Sequence, residues 1–309
     1  MNPAAFAPRD LALALLVVCV WGVNFAVIKV GVADVPPLLL GAMRFVLAAF
    51  PALLFFKAPA VPLRWYLAYG LLLCVGQFGL LFTAIHVGMP SGLASLVLQS
   101  QSFFTLLLAA WWLREKWGAH QLAGLLLAAG GLVLIGTAHG ASMPLLGFVL
   151  TVLAAASWAC GNIVTRLVSQ HPAMRSPRGQ LGFVVWSALI PPLPFFGLSL
   201  WLEGANAIGH ALTHLRWTTL AVVAYLAWMA TLLGYGLWTW LMSRYPANRV
   251  APFTLLVPLV GLSTGWLAFG EALQWKHFTG GGLLMAGLLL NVFGAGWWRR
   301  WQHKAASAQ

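Results

Sequence analysis

The chain has 309 residues, of which 61% are apolar and only 7% charged. A soluble globular domain carries about 25% charge, so a soluble fold is excluded, and the apolar content excludes intrinsic disorder; three cysteines in this length likewise exclude an extracellular disulfide scaffold. The net charge of +12 comes from 17 Lys and Arg residues scattered between long apolar runs, a pattern of loops flanking membrane spans rather than of a nucleic-acid-binding face.

A helix needs about 20 mostly apolar residues to cross the hydrocarbon of a bilayer. Runs of that kind lie near 11–31, 36–57, 65–88, 91–113, 119–138, 145–168, 178–202, 217–241, 248–270 and 276–298. They predict an all-α integral membrane protein with ten transmembrane helices. The first run continues from Leu11 through Trp21 to Val30 without a small-residue cleavage site, so it reads as a retained helix and not as a signal peptide. It carries Trp21 and Asn24 at helical spacing, and Lys29 near its end is read as snorkelling to the interface.

The second run contains Arg44, the one charge well inside a span. It can snorkel, bond carbonyls at helix ends or receive a substrate carboxylate, and a structural duty is the first reading. Gln77 stands alone in the middle of the third run, and His86, late in the same run, is read as structural. In the fourth run Ser91, Ser95, Gln99 and Ser102 fall on one helical stripe. The sixth run offers Trp158, Asn162 and Thr165 at i, i+4 and i+7.

In the seventh, Pro191-Pro192-Leu193-Pro194 marks a bending point. The eighth run has Trp228, Thr231, Tyr235 and Trp238 on one stripe; Tyr235 is read as facing a cavity and the two tryptophans as packing. The ninth combines Pro252 and Pro258 with Gly261-Leu-Ser-Thr-Gly265, a pattern for flexing and for close helix approach.

Polar side chains are costly in lipid, so they line a cavity or bond a neighbouring helix. Both readings stay open for this set. The candidate substrate-binding residues are Trp21, Asn24, Gln77, Ser95, Gln99, Trp158, Asn162 and Tyr235. Placing the N-terminus in the cytoplasm leaves only Lys29, Arg216 and Lys276 on the opposite side, apart from Arg44 within its span. The positive-inside rule therefore predicts both termini inside.

An internal echo divides the chain. Glu115, Gly124 and Gly131 are matched by Glu271, Gly280 and Gly287 at the same spacings, and the Trp21–Asn24 segment is echoed at Trp158–Asn162. Two five-helix units follow, 11–138 and 145–298, with a cytoplasmic tail over 299–309. Five is odd, so the second unit is inverted relative to the first.

Absences narrow the function. The five acids, Asp10, Asp34, Glu115, Glu203 and Glu271, fall at span ends or in loops. No membrane-embedded carboxylate offers a proton relay, so proton coupling would need His86 or an interfacial Glu. His210 and His214 have i, i+4 spacing but no third ligand. No nucleophile elbow, carboxylate pair or phosphate-cradling loop stands out, so the sequence implies no enzyme, no metal and no cofactor.

The segments Val20-Trp21-Gly22-Val23-Asn24-Phe25, Arg44-Phe45, Gly88-Met89-Pro90-Ser91-Gly92-Leu93-Ala94-Ser95 and Arg249-Val250-Ala251-Pro252 resemble the EamA family of the drug/metabolite transporter superfamily. The resemblance runs from about 11 to 296. Further stretches, Leu96–Phe104, Ser157–Asn162 and Trp186–Pro191, are similar to the family's exporters of cysteine-pathway metabolites. What this implies is a bacterial inner-membrane exporter of small zwitterionic compounds such as cysteine and O-acetylserine, working by alternating access to a central cavity. Within the same fold, aromatic amino acids, purines or drugs are the alternative cargo, and an integral-membrane enzyme or sensor is a remote one. Oligomeric state is left open.

Overall fold

The computed structural model describes residues 7–114, 118–138, 143–245 and 247–306, with side chains throughout except at 247, 248, 251 and 295–306. Glu115, half of the internal echo, lies outside the described residues. Among the described residues, ten helical segments are long and apolar enough to cross a membrane: spans 1 (Pro8–Asp34), 2 (Pro37–Leu54), 3 (Leu63–His86), 4 (Ser91–Leu113), 5 (Ala119–Gly136), 6 (Leu145–Val168), 7 (Pro177–Leu202), 8 (Trp217–Arg244), 9 (Pro252–Phe269) and 10 (Trp275–Gly294). The ten apolar runs become these spans, and span 1 is longer than its run at both ends.

Several spans are not uniform α-helix, and the irregularities follow from sequence. Span 7 ends one helix at Ser187 and begins another at Pro192, since proline removes an N–H and is tolerated in a first turn. Span 9 opens with a tight 3₁₀ stretch over Ala251–Leu256 before its α-helix starts at Val257, next to Pro258. Spans 3 and 8 each carry a π-helical stretch, Gly70–Gln77 and Tyr225–Leu233. The 203–216 linker contains a further short helix, Ala205–Thr213.

Glycine sets how closely the spans approach. Spans 5 and 10 meet backbone to backbone: a Cβ on Gly124 would lie 2.6 Å from the Gly287 carbonyl oxygen, and one on Gly280 would lie 2.7 Å from that of Gly131. Span 9 presses on spans 1 and 4 through Gly22, Gly92, Gly261 and Gly265; a Cβ on Gly92 would reach Leu262 Cα at 2.9 Å. The Gly261-Leu-Ser-Thr-Gly265 stripe is thus a packing surface, as small residues on membrane helices usually are. The aromatic core beside span 2 stacks Phe45 on Phe195 and sets Phe78 edge-on to Phe45 and Phe82.

A central cavity and its sealed end

Spans 1–4 and 6–9 enclose a cavity of about 420 Å³, and spans 5 and 10 contribute nothing to its wall. The size falls in the usual range of about 300–1,000 Å³ for small-molecule sites. All eight candidate residues line it: Trp21, Asn24, Gln77, Ser95, Gln99, Trp158, Asn162 and Tyr235. Spacing brought them onto one side of each helix, and the cost of polar groups in lipid turns those sides inward.

Several of these side chains also tie the walls together. Asn162 Nδ2 donates to Gln101 Oε1 at 2.7 Å and to Thr105 Oγ1 at 3.1 Å, joining spans 6 and 4. Gln99 Nε2 donates to the Thr254 carbonyl at 3.0 Å. That carbonyl lies in the 3₁₀ stretch of span 9, where the backbone ladder is imperfect. Trp21 Nε1 donates to the Ala230 carbonyl at 3.0 Å inside the π-helical stretch of span 8. Ser95 Oγ donates to the Gly92 carbonyl at 2.6 Å. Cavity lining and helix bridging, open alternatives at the level of sequence, coexist in the same residues.

Span 8 departs from the expected single stripe. Trp228 is 42% exposed, with Nε1 toward the Leu47 carbonyl at 3.3 Å, and Thr231 is buried beneath Arg44. Tyr235 and Trp238 line the cavity and lean on Trp21 with ring centroids 5.5 and 5.3 Å away. The π-helical stretch over Tyr225–Leu233 inserts extra chain per turn and turns Trp228 and Thr231 away from the face shared by Tyr235 and Trp238. Trp238 is therefore a wall residue and not only packing.

Sequence spacing gave no sign of other wall residues such as Tyr69, Gln180 and Thr239, and it placed Thr254 on the span 9 stripe with Pro258, Gly261 and Gly265, which reads first as packing and flexing. Arg44 belongs here too. It lines the cavity at 2% exposure, and its structural contacts are one bond to Thr231 and the face of Phe78. Its isolation from any acid in the sequence was the available signal.

The cavity runs from Asn24, Ser95 and Gln99 to Ser169, Met174 and Gln180 at the connection between spans 6 and 7, where Thr165 and Ser169 are exposed. The opposite end is sealed. There Glu271 accepts from Lys29 Nζ at 2.7 Å, from the Ser91 N–H and hydroxyl at 2.8 Å each, and from the Gly92 N–H at 2.9 Å. Lys29 does not snorkel free; its ammonium is held by this carboxylate and lies 4.4 Å from the Phe269 ring centroid.

Burial alone pushes the Glu271 pKa up, but the Lys29 ammonium and the donors of Ser91 and Gly92 outweigh it and hold the carboxyl below its ordinary value. Glu203 performs a similar duty at the same end, accepting from the Leu38 and Leu39 N–H groups at 2.7 and 3.2 Å. The start of a helix exposes unpaired N–H groups and positive potential, which a carboxylate satisfies. Arg216 and Asp34 add an exposed pair at 3.4 Å. His86 Nδ1 lies 2.9 Å from the Val32 carbonyl, a link between spans 3 and 1.

The chain is similar to known proteins in sequence and in fold. A protein of Salmonella typhimurium named "probable amino-acid metabolite efflux pump" is 52% identical over 289 residues, covering 93% of this chain and 95% of its own. An Escherichia coli protein of the same name is 50% identical over 294 residues, covering 94% and 96%. A solved crystal structure superposes with TM-score 0.59 at 18% identity over 91% of this chain and 95% of its own, a likeness of fold alone. The description "EamA-like transporter family" matches residues 10–137 and again 145–293. A bundle of ten candidate spans around a central cavity, matched twice along its length, places the chain in a class of membrane transporters and not of enzymes: it belongs to the EamA-like transporter family.

Proposed function

We propose that the protein is a bacterial inner-membrane exporter of small amino-acid metabolites, with cysteine and O-acetylserine as its cargo. The observation that carries this reading is the cavity of about 420 Å³ among the spans, whose largely apolar and aromatic wall is set with amides, hydroxyls and the Arg44 guanidinium from both halves of the chain. The two efflux-pump relatives at 50% identity or more support the direction and the cargo class.

Alternating access follows from rocking one five-helix unit against the other, with both termini in the cytoplasm. The paired glycines support an inverted relation between the units. Gly124 meets Gly287 while Gly131 meets Gly280, so exchanging spans 5 and 10 returns the same contact set, as a two-fold axis in the membrane plane would. In this reading the Lys29–Glu271 end is the outer gate in its closed state, and cargo enters beside Ser169 and Gln180.

The test is efflux from cells overproducing the protein under sulfur-rich growth, with cysteine, O-acetylserine and a wider panel of amino acids quantified in the medium against an empty vector. A selective rise in the two cysteine-pathway compounds is expected. A rise confined to aromatic amino acids or purines would move the cargo. The cluster of Trp21, Tyr235 and Trp238 is the observation that favours this second reading.

A further inference from the structure

Arg44 is the one cation in the cavity wall among the described residues, and it is under-used. Its Nη2 donates to Thr231 Oγ1 at 3.0 Å, and its guanidinium carbon sits 3.9 Å from the Phe78 ring centroid. Its Nε and Nη1 have no protein partner. No acid among the described residues supplies one. Asp10 accepts from the Tyr245 hydroxyl, Asp34 meets Arg216, Glu203 caps span 2, and Glu271 holds Lys29. A buried charge without a counter-ion is costly, and here the unmet donors belong to a side chain that lines an open cavity.

The complementary vacancy lies in the same wall. Asn24 Oδ1 is buried and accepts no hydrogen bond from the protein. Two residues of the cavity wall thus carry unpaired polar atoms, donors on Arg44 and an acceptor on Asn24, buried just behind the wall surface until a side chain turns toward the cargo. An α-amino acid carries their complements, a planar carboxylate and an ammonium. We propose that Arg44 receives the α-carboxylate of the cargo and that Asn24 Oδ1 receives its α-ammonium.

The proposal rests on the amino-acid reading above and makes it specific. A guanidinium gives a carboxylate two parallel bonds, a match that an ammonium on a flexible stem does not reproduce. The rings of Trp21, Trp158 and Tyr235 and the amide of Gln77 are left to face the cargo's side chain. Compounds without a carboxylate leave Arg44 unpaired, and cationic drugs meet its charge with nothing to offset it.

The experiment is counterflow of labelled cysteine into proteoliposomes of the full-length protein under reducing conditions. Competitors are unlabelled cysteine, cysteine methyl ester and cysteamine, which lack a free carboxylate, and 3-mercaptopropionate, which lacks the ammonium. The ester, cysteamine and 3-mercaptopropionate are each expected to compete about tenfold more weakly than cysteine. Arg44→Gln is expected to lose about tenfold of counterflow, with Arg44→Lys between it and the wild type.

Equal competition by ester and cysteine, or wild-type counterflow in an Arg44→Gln protein that melts at the wild-type temperature, overturns the proposal. If Arg44→Gln does not fold, the competitor series in the wild type decides alone. If the wild type moves no member of an amino-acid panel, the amino-acid reading itself fails and takes this proposal with it. If it moves cysteine but the competitors are equal, only the role of Arg44 and Asn24 fails.

Discussion

Two cations of the spans, Lys29 near an end and Arg44 in the interior, have different surroundings. Lys29 is met by a carboxylate, two backbone N–H groups share that carboxylate, and the cluster closes one end of the bundle. Arg44 is more deeply buried, yet it has one neutral hydroxyl partner and opens on the cavity. The first site is saturated and the second is not. A saturated cluster at a helix junction holds elements in place. An unsaturated one keeps donors in reserve for something that arrives and leaves, which a transporter needs and a structural site does not.

The comparison is broken most forcefully at the saturated end. Glu271→Ala leaves Lys29 without its partner and uncaps the start of span 4. Breaking a buried pair from one side costs roughly 3–5 kcal/mol, and Lys29 is a third exposed, so about 3 kcal/mol is expected. The check is the melting temperature of purified protein in detergent, with transport falling in parallel. An unchanged melting temperature would show that the cluster carries no stability. Lys29→Met combined with Glu271→Gln removes both charges. The double variant is expected to melt above Glu271→Ala, since no orphan ammonium remains.

The cavity wall should behave in the opposite way. Asn162→Ala removes bonds to Gln101 and Thr105, and interhelical bonds in membranes average about 0.6 kcal/mol. Its melting temperature should scarcely move while half-saturation for cargo rises roughly tenfold. Gln99→Ala, which removes one of the bonds to the Thr254 carbonyl, should follow the same pattern. Normal transport by both variants at normal abundance would remove these two residues from the site.

What the sequence revealed differs between the two ends for a physical reason. Span positions were legible because bilayer thickness fixes run length, and the inward set of eight residues was legible because lipid penalises polar groups at depth. The Lys29–Glu271 pair was not, since its partners are 242 positions apart and meet only once spans 1, 4 and 9 have packed on their glycines. Trp238 was read as packing although it follows Tyr235 by three residues in the regular helix Gly234–Arg244, where spacing alone sets both on one face; what broke phase was the π-helical stretch before them, which parts Trp228 and Thr231 from that face. Arg44 was visible as a lone charge, but only the engagement of each described acid elsewhere gives its unpaired state meaning.

The smallest expected effect separates the ends by pH. Glu271 has a folded-state pKa below its ordinary value of 4.5. A group depressed on folding stabilises the native state in its charged form, so its contribution is full above the unfolded value and is lost as pH falls through the folded one. Wild-type melting temperature should therefore hold steady as pH falls toward 4.5 and decline below it. Glu271→Gln should start lower and decline less over the same acid range, because its amide has no proton to gain. The difference between the two curves isolates the sealed end, since Arg44 keeps its charge throughout that range. If the curves stay parallel, the Lys29–Glu271 cluster adds nothing to the acid dependence, and the contrast between a saturated and an unsaturated cation would rest on transport alone.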